Sequence, residues 1–368
     1  MKKLKVAVIG QGRSGRQIHT SYLSADKRFE IAAVVDLLKK RRDMAAADYG
    51  CDVYRDYRKM LERDDLDLVV NASYSYMHSP INLAILKAGH NLLSEKPLAP
   101  HAKDVDRLIR MSKKTGKVFA IYQQSRYAPY FQQVQKVIKS GVLGRIVQIS
   151  LQFNGHSRRW DWQTLTRRKG GNLLNTGPHP MDQALQLFGE GMPKVTCFMD
   201  NTEGSFGNAE NHVKVLLSGK DRPLIDVEIS SCCAYPPFTY QVYGSRGGLT
   251  ATTSTAEWKY YKIKESPKQK LILDPIEDAK GEPAYVREDL KWHTETWSAD
   301  EEKKRGATYS AAAAPTQGGM TGKFYNMLHK TLTRGRPLEI TPEQVRRQIA
   351  VIEECHKQNP QIWGRPKS

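Results

Sequence analysis

The sequence predicts two domains of different construction. Residues 1–125 read as an α/β domain with a doubly wound parallel sheet, and residues 126–368 as an α+β domain built on an antiparallel sheet. Three observations carry this. A chain of 368 residues has room for two domains at about 150 residues each. Short apolar runs alternate with helix-like stretches through the first part, the pattern of strands and crossover helices in a parallel sheet. Beyond residue 125 or so the rhythm changes, and strand-like runs follow one another directly.

Taken in order, LKVAVIG (4–10), EIAAVVD (30–36), LDLVVNAS (66–73), NLLSEK (91–96) and KVFAIYQQ (117–124) are the strands of the first domain. Strands covered on both faces appear as near-continuous apolar runs of this kind. The stretches HSPINLAILKAG and HAKDVDRLIRMSKKTG lie between them as helices. The second ends in two lysines, a threonine and a glycine, as a helix C-terminus should. In the second domain GRIVQISLQFNG, PKVTCFMD, HVKVLLSG, PLIDVEISSC, TYQVYGSRGGLTATTS and EWKYYKIKE are strand-like. Residues 264–315 are polar, rich in proline and lysine, and carry no clear element apart from the tract SAAAAP. GKFYNMLHKTLTRG and TPEQVRRQIAVIEECHKQ close the chain as helices, the last starting at a threonine N-cap with proline behind it.

Composition narrows the function classes. Hydrophobic residues are 39% and charged residues 26%, the profile of a soluble globular protein. The five cysteines have no C-x-x-C spacing, so neither a zinc knuckle nor a redox dithiol is indicated, and buried thiols in a reducing, cytoplasmic setting are expected. No run approaches the roughly 20 apolar residues of a membrane span. The N-terminal apolar run VAVI is too short for a signal peptide. Net charge is +18, with basic clusters at 39–42, 157–160 and 166–169. None of these sits in a nucleic-acid-binding module, so an evenly basic surface that attracts anionic ligands is the expectation.

The sharpest motif is GQGRSG (10–15), of the form G-x-G-x-x-G. It follows a strand and opens a helix, the context in which such a loop holds a dinucleotide. Gly10 permits the tight turn and Gly12 lets the backbone approach a pyrophosphate. Gly15 lets helix and strand pack, and Arg13 and Ser14 stand at the helix N-terminus that meets the phosphate charge. Asp36 ends the second strand, where a carboxylate bonds ribose hydroxyls and repels a 2′-phosphate. NAD is therefore favoured over NADP, the alternative being that KKRR (39–42) serves a phosphate.

Three motifs in order, the glycine loop, AGHNLLSEKPLA (88–99) and GGNLLNTGPHPMD (170–182), resemble the family of glucose–fructose oxidoreductase, inositol dehydrogenase and the rhizopine-catabolism dehydrogenases. The resemblance spans nearly the whole chain. It implies a Rossmann domain, then a large open, mostly antiparallel sheet whose exposed face pairs in a homo-oligomer. It makes Glu95-Lys96-Pro97 the E-K-P turn, with Pro97 in the cis form. Lys96 then stands beside the nicotinamide and stabilises a developing alkoxide. Ser73, His78, Glu95 and Gln124 are implied as cofactor contacts and Arg126 as a substrate contact. Tyr74 departs from the family, standing where a proline is common, and Gln124 replaces an asparagine.

The resemblance also makes His179 the base, with an aspartate as its usual companion; here that companion is Asn175. An asparagine can orient a ring or a substrate but lends no charge to an imidazolium. His179 as sole base, a proton path through Lys96 or water, and a histidine that only stiffens a turn all remain open. A helix is expected to begin near Gly177, since Pro178 is tolerated only in a first turn. The segment FNGHSRRWDWQTLTRRKGG (153–171) offers His156, Trp160 and Trp162 as substrate contacts, because aromatic faces stack on sugars. A surface loop at an oligomer contact is the competing account.

The expected function is NAD-dependent oxidation of a secondary ring hydroxyl of a sugar or glycoside, with C3 of a glucoside as one candidate. Lys96 polarises the oxygen and His179 takes the proton. The alternatives are an inositol dehydrogenase, a glycoside hydrolase working by transient oxidation, and a nucleotide-sensing regulator. No metal site is expected.

Overall fold

The computed structural model describes residues 2–300 and 319–364, so the SAAAAP tract lies outside the described residues. The first domain holds a six-stranded sheet: β1 (Leu4–Ile9), β2 (Phe29–Val35), β3 (Asp52–Tyr54), β4 (Leu68–Asn71), β5 (Leu92–Ser94) and β6 (Phe119–Ile121). Every pair is parallel, in the order β3-β2-β1-β4-β5-β6. This is the doubly wound Rossmann arrangement, with a switch point between β1 and β4 where ligands bind. The five strands marked in the sequence are present. The third, β3, went unmarked because its three residues are mostly exposed at the sheet edge.

The crossover helix after β1 opens with wide π-type turns over Arg13–Thr20 and ends as α1 (Ser21–Ala25). The others are α2 (Lys39–Tyr49), α3 (Tyr57–Met60), α4 (His78–Lys87) and α5 (Ala102–Thr115), which ends at Gly116 in the left-handed region as its sequence predicts. A helix with proline in its first turn, α6 (Pro129–Ser140), leads into the second domain. Its regular apolar face was not recognised in the sequence.

The second sheet has eight strands: β7 (Ile146–Asn154), β8 (Lys194–Asp200), β9 (His212–Ser218), β10 (Leu224–Ser230), β11 (Tyr240–Gly244), β12 (Gly247–Ala251), β13 (Thr255–Tyr261) and β14 (Trp292–Ser298). Their order is β14-β13-β12-β11-β7-β10-β9-β8, and all pairs are antiparallel except β7 with β10. Burial alternates along β9 and β10, so one face is covered and the other is open. Helices α7 (Asn172–Asn175) and α8 (Pro178–Phe188) belong to the covered side, Met181, Ala184 and Leu185 being fully buried. The segment that was hard to assign holds an irregular excursion and then the edge strand β14.

The chain then returns to the first domain. In α9 (Met320–Arg334) Tyr325 stacks on Tyr22 with ring centres 4.8 Å apart. In α10 (Pro342–Gln358), capped by Thr341 and Gln344, Arg346 pairs with Asp106 of α5 at 3.1 Å. At its far end Gln358 and the following Asn359 hydrogen-bond the edge backbone of β8. Among the described residues no helix is long and apolar enough to cross a membrane.

Candidate active site

The site lies at the carboxyl ends of the parallel strands, because each strand there ends in a residue with chemistry. After β1 the chain enters the glycine loop. Gly10 has φ +92°, and a Cβ on it would stand 2.5 Å from the Ala72 carbonyl oxygen. A Cβ on Gly15 would stand 1.8 Å from the carbonyl oxygen of Gly10. Both positions therefore demand glycine. Gly12 differs: a Cβ there would meet nothing within 4 Å. It leaves a cradle at the helix N-terminus, where backbone N–H groups favour anions. The Thr20 hydroxyl donates to the carbonyls of Gly15 and Arg16, both at 3.1 Å, inside the wide turns that follow.

At the end of β2, Asp36 is buried and braces this loop. Its carboxylate accepts from the Gln11 N–H at 2.8 Å and the Leu38 N–H at 2.9 Å, with Arg41 at 3.5 Å. Of the basic run, Arg42 is spent on the carbonyls of Asp36 and Leu37.

Beyond β4, Ser73 keeps a buried hydroxyl with no protein partner. His78 has its Nδ1 2.7 Å from the Pro97 carbonyl oxygen and its Nε2 3.0 Å from that of Ser73. Fully buried, and held below its ordinary pKa by that burial, it stands between two loops, and the neutral ring's one N–H donates to one of the two carbonyls.

Beyond β5 comes the E-K-P turn, with the Lys96–Pro97 bond cis. Glu95 is buried, which pushes its pKa up. The hydrogen bond from His19 (3.1 Å) and the neighbouring Lys96 ammonium outweigh this and hold it at about 2. His19 in turn lies 2.7 Å from the Tyr325 hydroxyl, so a buried polar chain runs from the turn to α9. Desolvation lowers the Lys96 pKa; Glu95 opposes this, while the cations Arg13 and Arg159 add to it.

The Lys96 ammonium donates to the main-chain carbonyl of Asn175 at 2.8 Å. The short helix α7 ends at that residue, and α8 begins after Gly177, as its sequence predicts. His179, in the first turn of α8, lies close enough to Lys96 to feel its charge. Desolvation and that ammonium together bring its pKa down to about 3, so the ring is neutral at physiological pH. Its Nδ1 contacts the Ser125 hydroxyl at 3.1 Å, and Nε2 has no hydrogen-bond partner among the described residues. The Asn175 amide instead accepts from Gln163 at 3.1 Å. Ser125 thus holds the imidazole, and Asn175 connects Lys96 to the loop at 163.

That loop brings aromatic rings to the cleft. Trp162 meets Tyr74 edge-on at 5.3 Å, and Tyr74 stacks on Tyr76 at 5.6 Å. Trp160 takes no part: it is 75% exposed and faces Phe206. His156 is exposed and bridges to Cys232.

Arg126, expected at the substrate, is engaged mainly by other parts of the protein. Its guanidinium is consumed by Asp182 (2.8 and 2.6 Å), Gln344 (2.6 Å) and the Glu339 carbonyl (3.3 Å). It joins the end of the first domain to α8 and to the start of α10, with four of its five N–H donors engaged.

Residues 4–123 match the family described as "Oxidoreductase family, NAD-binding Rossmann fold", and residues 131–250 match its "GFO/IDH/MocA C-terminal domain". The chain belongs to the GFO/IDH/MocA oxidoreductase family. It is 24% identical to the scyllo-inositol 2-dehydrogenase (NADP(+)) IolW of Bacillus subtilis, over 95% of this chain and 92% of that one. It is 30% identical to the D-glucoside 3-dehydrogenase of Escherichia coli, over 50% of this chain and 54% of that one. Its fold is similar to that of the WlbA dehydrogenase from Bordetella pertussis, solved with NADH and UDP-GlcNAcA, at a TM-score of 0.75 and 18% identity over 98% and 96% of the two chains.

The site fits the family's cofactor, NAD. The cradle at Gly12 and three buried polar atoms without protein partners, Gln11 Oε1, Ser73 Oγ and Gln124 Oε1, stand at the ends of β1, β4 and β6. Among the described residues no group of three or more histidine, cysteine, aspartate or glutamate side chains could hold a metal. Sequence reasoning missed Gln163, Ser125, His19 and Tyr325. Gln163 lay inside the marked aromatic segment, whereas Tyr325 lies 306 residues from the His19 it contacts and left no local signal.

Proposed function

We propose that the protein oxidises a secondary ring hydroxyl of a sugar or glycoside to the ketone, using NAD. The observation that supports this is the Lys96 ammonium, held on the Asn175 carbonyl and near enough to His179 for its charge to bear on the imidazole, beyond the strand end that follows the glycine cradle. When bound, NAD supplies the hydride acceptor. Lys96 faces the reacting oxygen as a cation and lowers the cost of alkoxide character there. His179 presents Nε2 as a neutral acceptor, and Ser125 at Nδ1 fixes the ring. Trp162 and Tyr74 give apolar faces against which a pyranose C–H surface can lie.

A cyclitol substrate is the second reading, favoured by the near full-length likeness to a scyllo-inositol dehydrogenase. Assembly into a homo-oligomer through the open sheet face is part of the proposal. That face carries Phe198, Tyr243 and Trp292, which are 62%, 46% and 46% exposed.

The test is NADH formation at 340 nm across glucosides, inositols and sugar acids. Lys96→Ala should keep NAD binding and lose about 10²-fold or more in turnover, the scale of one electrostatic stabiliser. Unchanged turnover in that variant, or no NADH with any polyol, would end the proposal.

A further inference from the structure

The loop at 163–171 carries more than the contact to Asn175. Its backbone closes on itself: the Gly171 N–H donates to the Gln163 carbonyl at 2.8 Å, and the Gly170 N–H to that of Leu165 at 3.1 Å. A Cβ on Gly170 would stand 2.2 Å from the Gln163 carbonyl oxygen, so the two strands of the loop are in contact. Lys169 takes a left-handed φ of 56°, a conformation that non-glycine residues hold only where the surroundings impose it. Gln163 and Arg168 therefore sit on one clamped unit, and Gln163 anchors it to Asn175 and hence to Lys96.

Arg168 is exposed, yet it is not loose. Its guanidinium lies 4.7 Å above the Tyr76 ring, and Tyr76, Tyr74 and Trp162 form a continuous aromatic series leading to the cleft. Some arginines meet carboxylates, as Arg126 does Asp182 and Arg159 does Asp161, whereas Arg168, like Arg158 over Phe206, meets a ring. No carboxylate lies within ion-pair distance of Arg168 among the described residues. Aromatic stacking holds such a guanidinium in place while leaving its N–H fork free for a carboxylate or phosphate. The rest of the cleft is short of negative charge. Glu95 is engaged with His19, Asp161 with Arg159, and position 175 is neutral.

We infer that the substrate carries an anionic substituent, a carboxylate or a phosphate, and that Arg168 reads it while the ring hydroxyl reaches Lys96 and His179. This rests on the sugar reading of the site and names the class of sugar.

The experiment compares methyl glucuronoside, glucose 6-phosphate and methyl glucoside, by NADH formation and by calorimetric binding to the NAD-loaded protein. At least one anionic compound should exceed the neutral glucoside about tenfold or more in kcat/KM, the value of one charge-assisted contact. Arg168→Gln should collapse that ratio, and added salt should weaken binding of the anion. Which of the two acids prevails separates carboxylate from phosphate. Equal kcat/KM for charged and neutral sugars, or a ratio unmoved in Arg168→Gln, overturns the inference and leaves the sugar reading standing. Arg168-dependent binding of an acid with no NADH formed supports the inference and ends the proposed oxidation. Absence of binding by either acid overturns the inference.

Discussion

Replacing Arg126 by alanine should cost stability and leave substrate recognition alone. The guanidinium donates through Nε and Nη2 to both oxygens of Asp182, and through Nη1 to Gln344 and the Glu339 carbonyl. The two side chains are 11% and 2% exposed, so water cannot take over the vacated side of Asp182. Breaking a buried pair from one side strands the remaining charge, at about 3–5 kcal/mol. An exposed pair would cost about 1 kcal/mol or less. The assay is urea unfolding, reading the midpoint and slope of each variant. Arg126→Ala should fall in the larger range. The double variant Arg126→Leu with Asp182→Leu should recover most of the loss, because no charge is left stranded. The KM for any substrate found should not move in the folded protein. A loss below about 1 kcal/mol, or a raised KM with an unchanged midpoint, would refute the structural assignment and return Arg126 to the substrate.

NAD should bind at least tenfold tighter than NADP, about 1.4 kcal/mol, and Asp36→Asn, which keeps an acceptor for Gln11 and frees Arg41, should narrow the gap in fluorescence titrations; equal binding by the unaltered protein would sink the role given to Asp36. The acid limb of kcat/KM due to His179 should lie near its pKa of about 3, and Asn175→Asp should move it to higher pH by adding a negative charge; a limb that stays put removes Asn175 from the proton's surroundings. Glu210 is buried with its pKa pushed up to about 7 by desolvation, so the folded state holds a proton that the unfolded state has released. That contribution is complete below pH ~4.3, the free glutamate value, and is lost as pH rises through the folded value, roughly 4 kcal/mol in all. Glu210→Gln should flatten the dependence of the unfolding midpoint between pH 5 and 8, and an unchanged slope would rule Glu210 out as its source.

Much of the first domain was legible because its constraints are local. β1, β2 and β4 are covered on both faces, and their apolar runs follow directly from that. The glycine loop was legible because two of its three glycines are dictated by contacts within the same turn and the neighbouring β4 loop. The E-K-P turn and His179 were found by resemblance, and their roles came with it. What sequence could not show is partnership over distance. Arg126 looked like a free arginine near the cleft because its carboxylate is 56 residues away. Asn175 looked like the companion of His179 at helical spacing, but its amide turns to Gln163 across a loop. Trp160 and Trp162, two residues apart, point to different neighbours because a short turn begins at Trp162.

The return of the last helices to the first domain bears on how the chain is made. Tyr22, Phe29 and His19 are covered by Tyr325, and His101 and Asp106 meet Glu353 and Arg346. None of these partners exists while the first 125 residues leave a ribosome. Synthesis at about 5–20 residues per second puts α9 roughly 10–40 s behind β6. During that interval the newborn Rossmann unit carries bare aromatic surface on the flank that α9 will cover. The wall behind Lys96 is finished only once α9 has been made and Tyr325 has closed over His19.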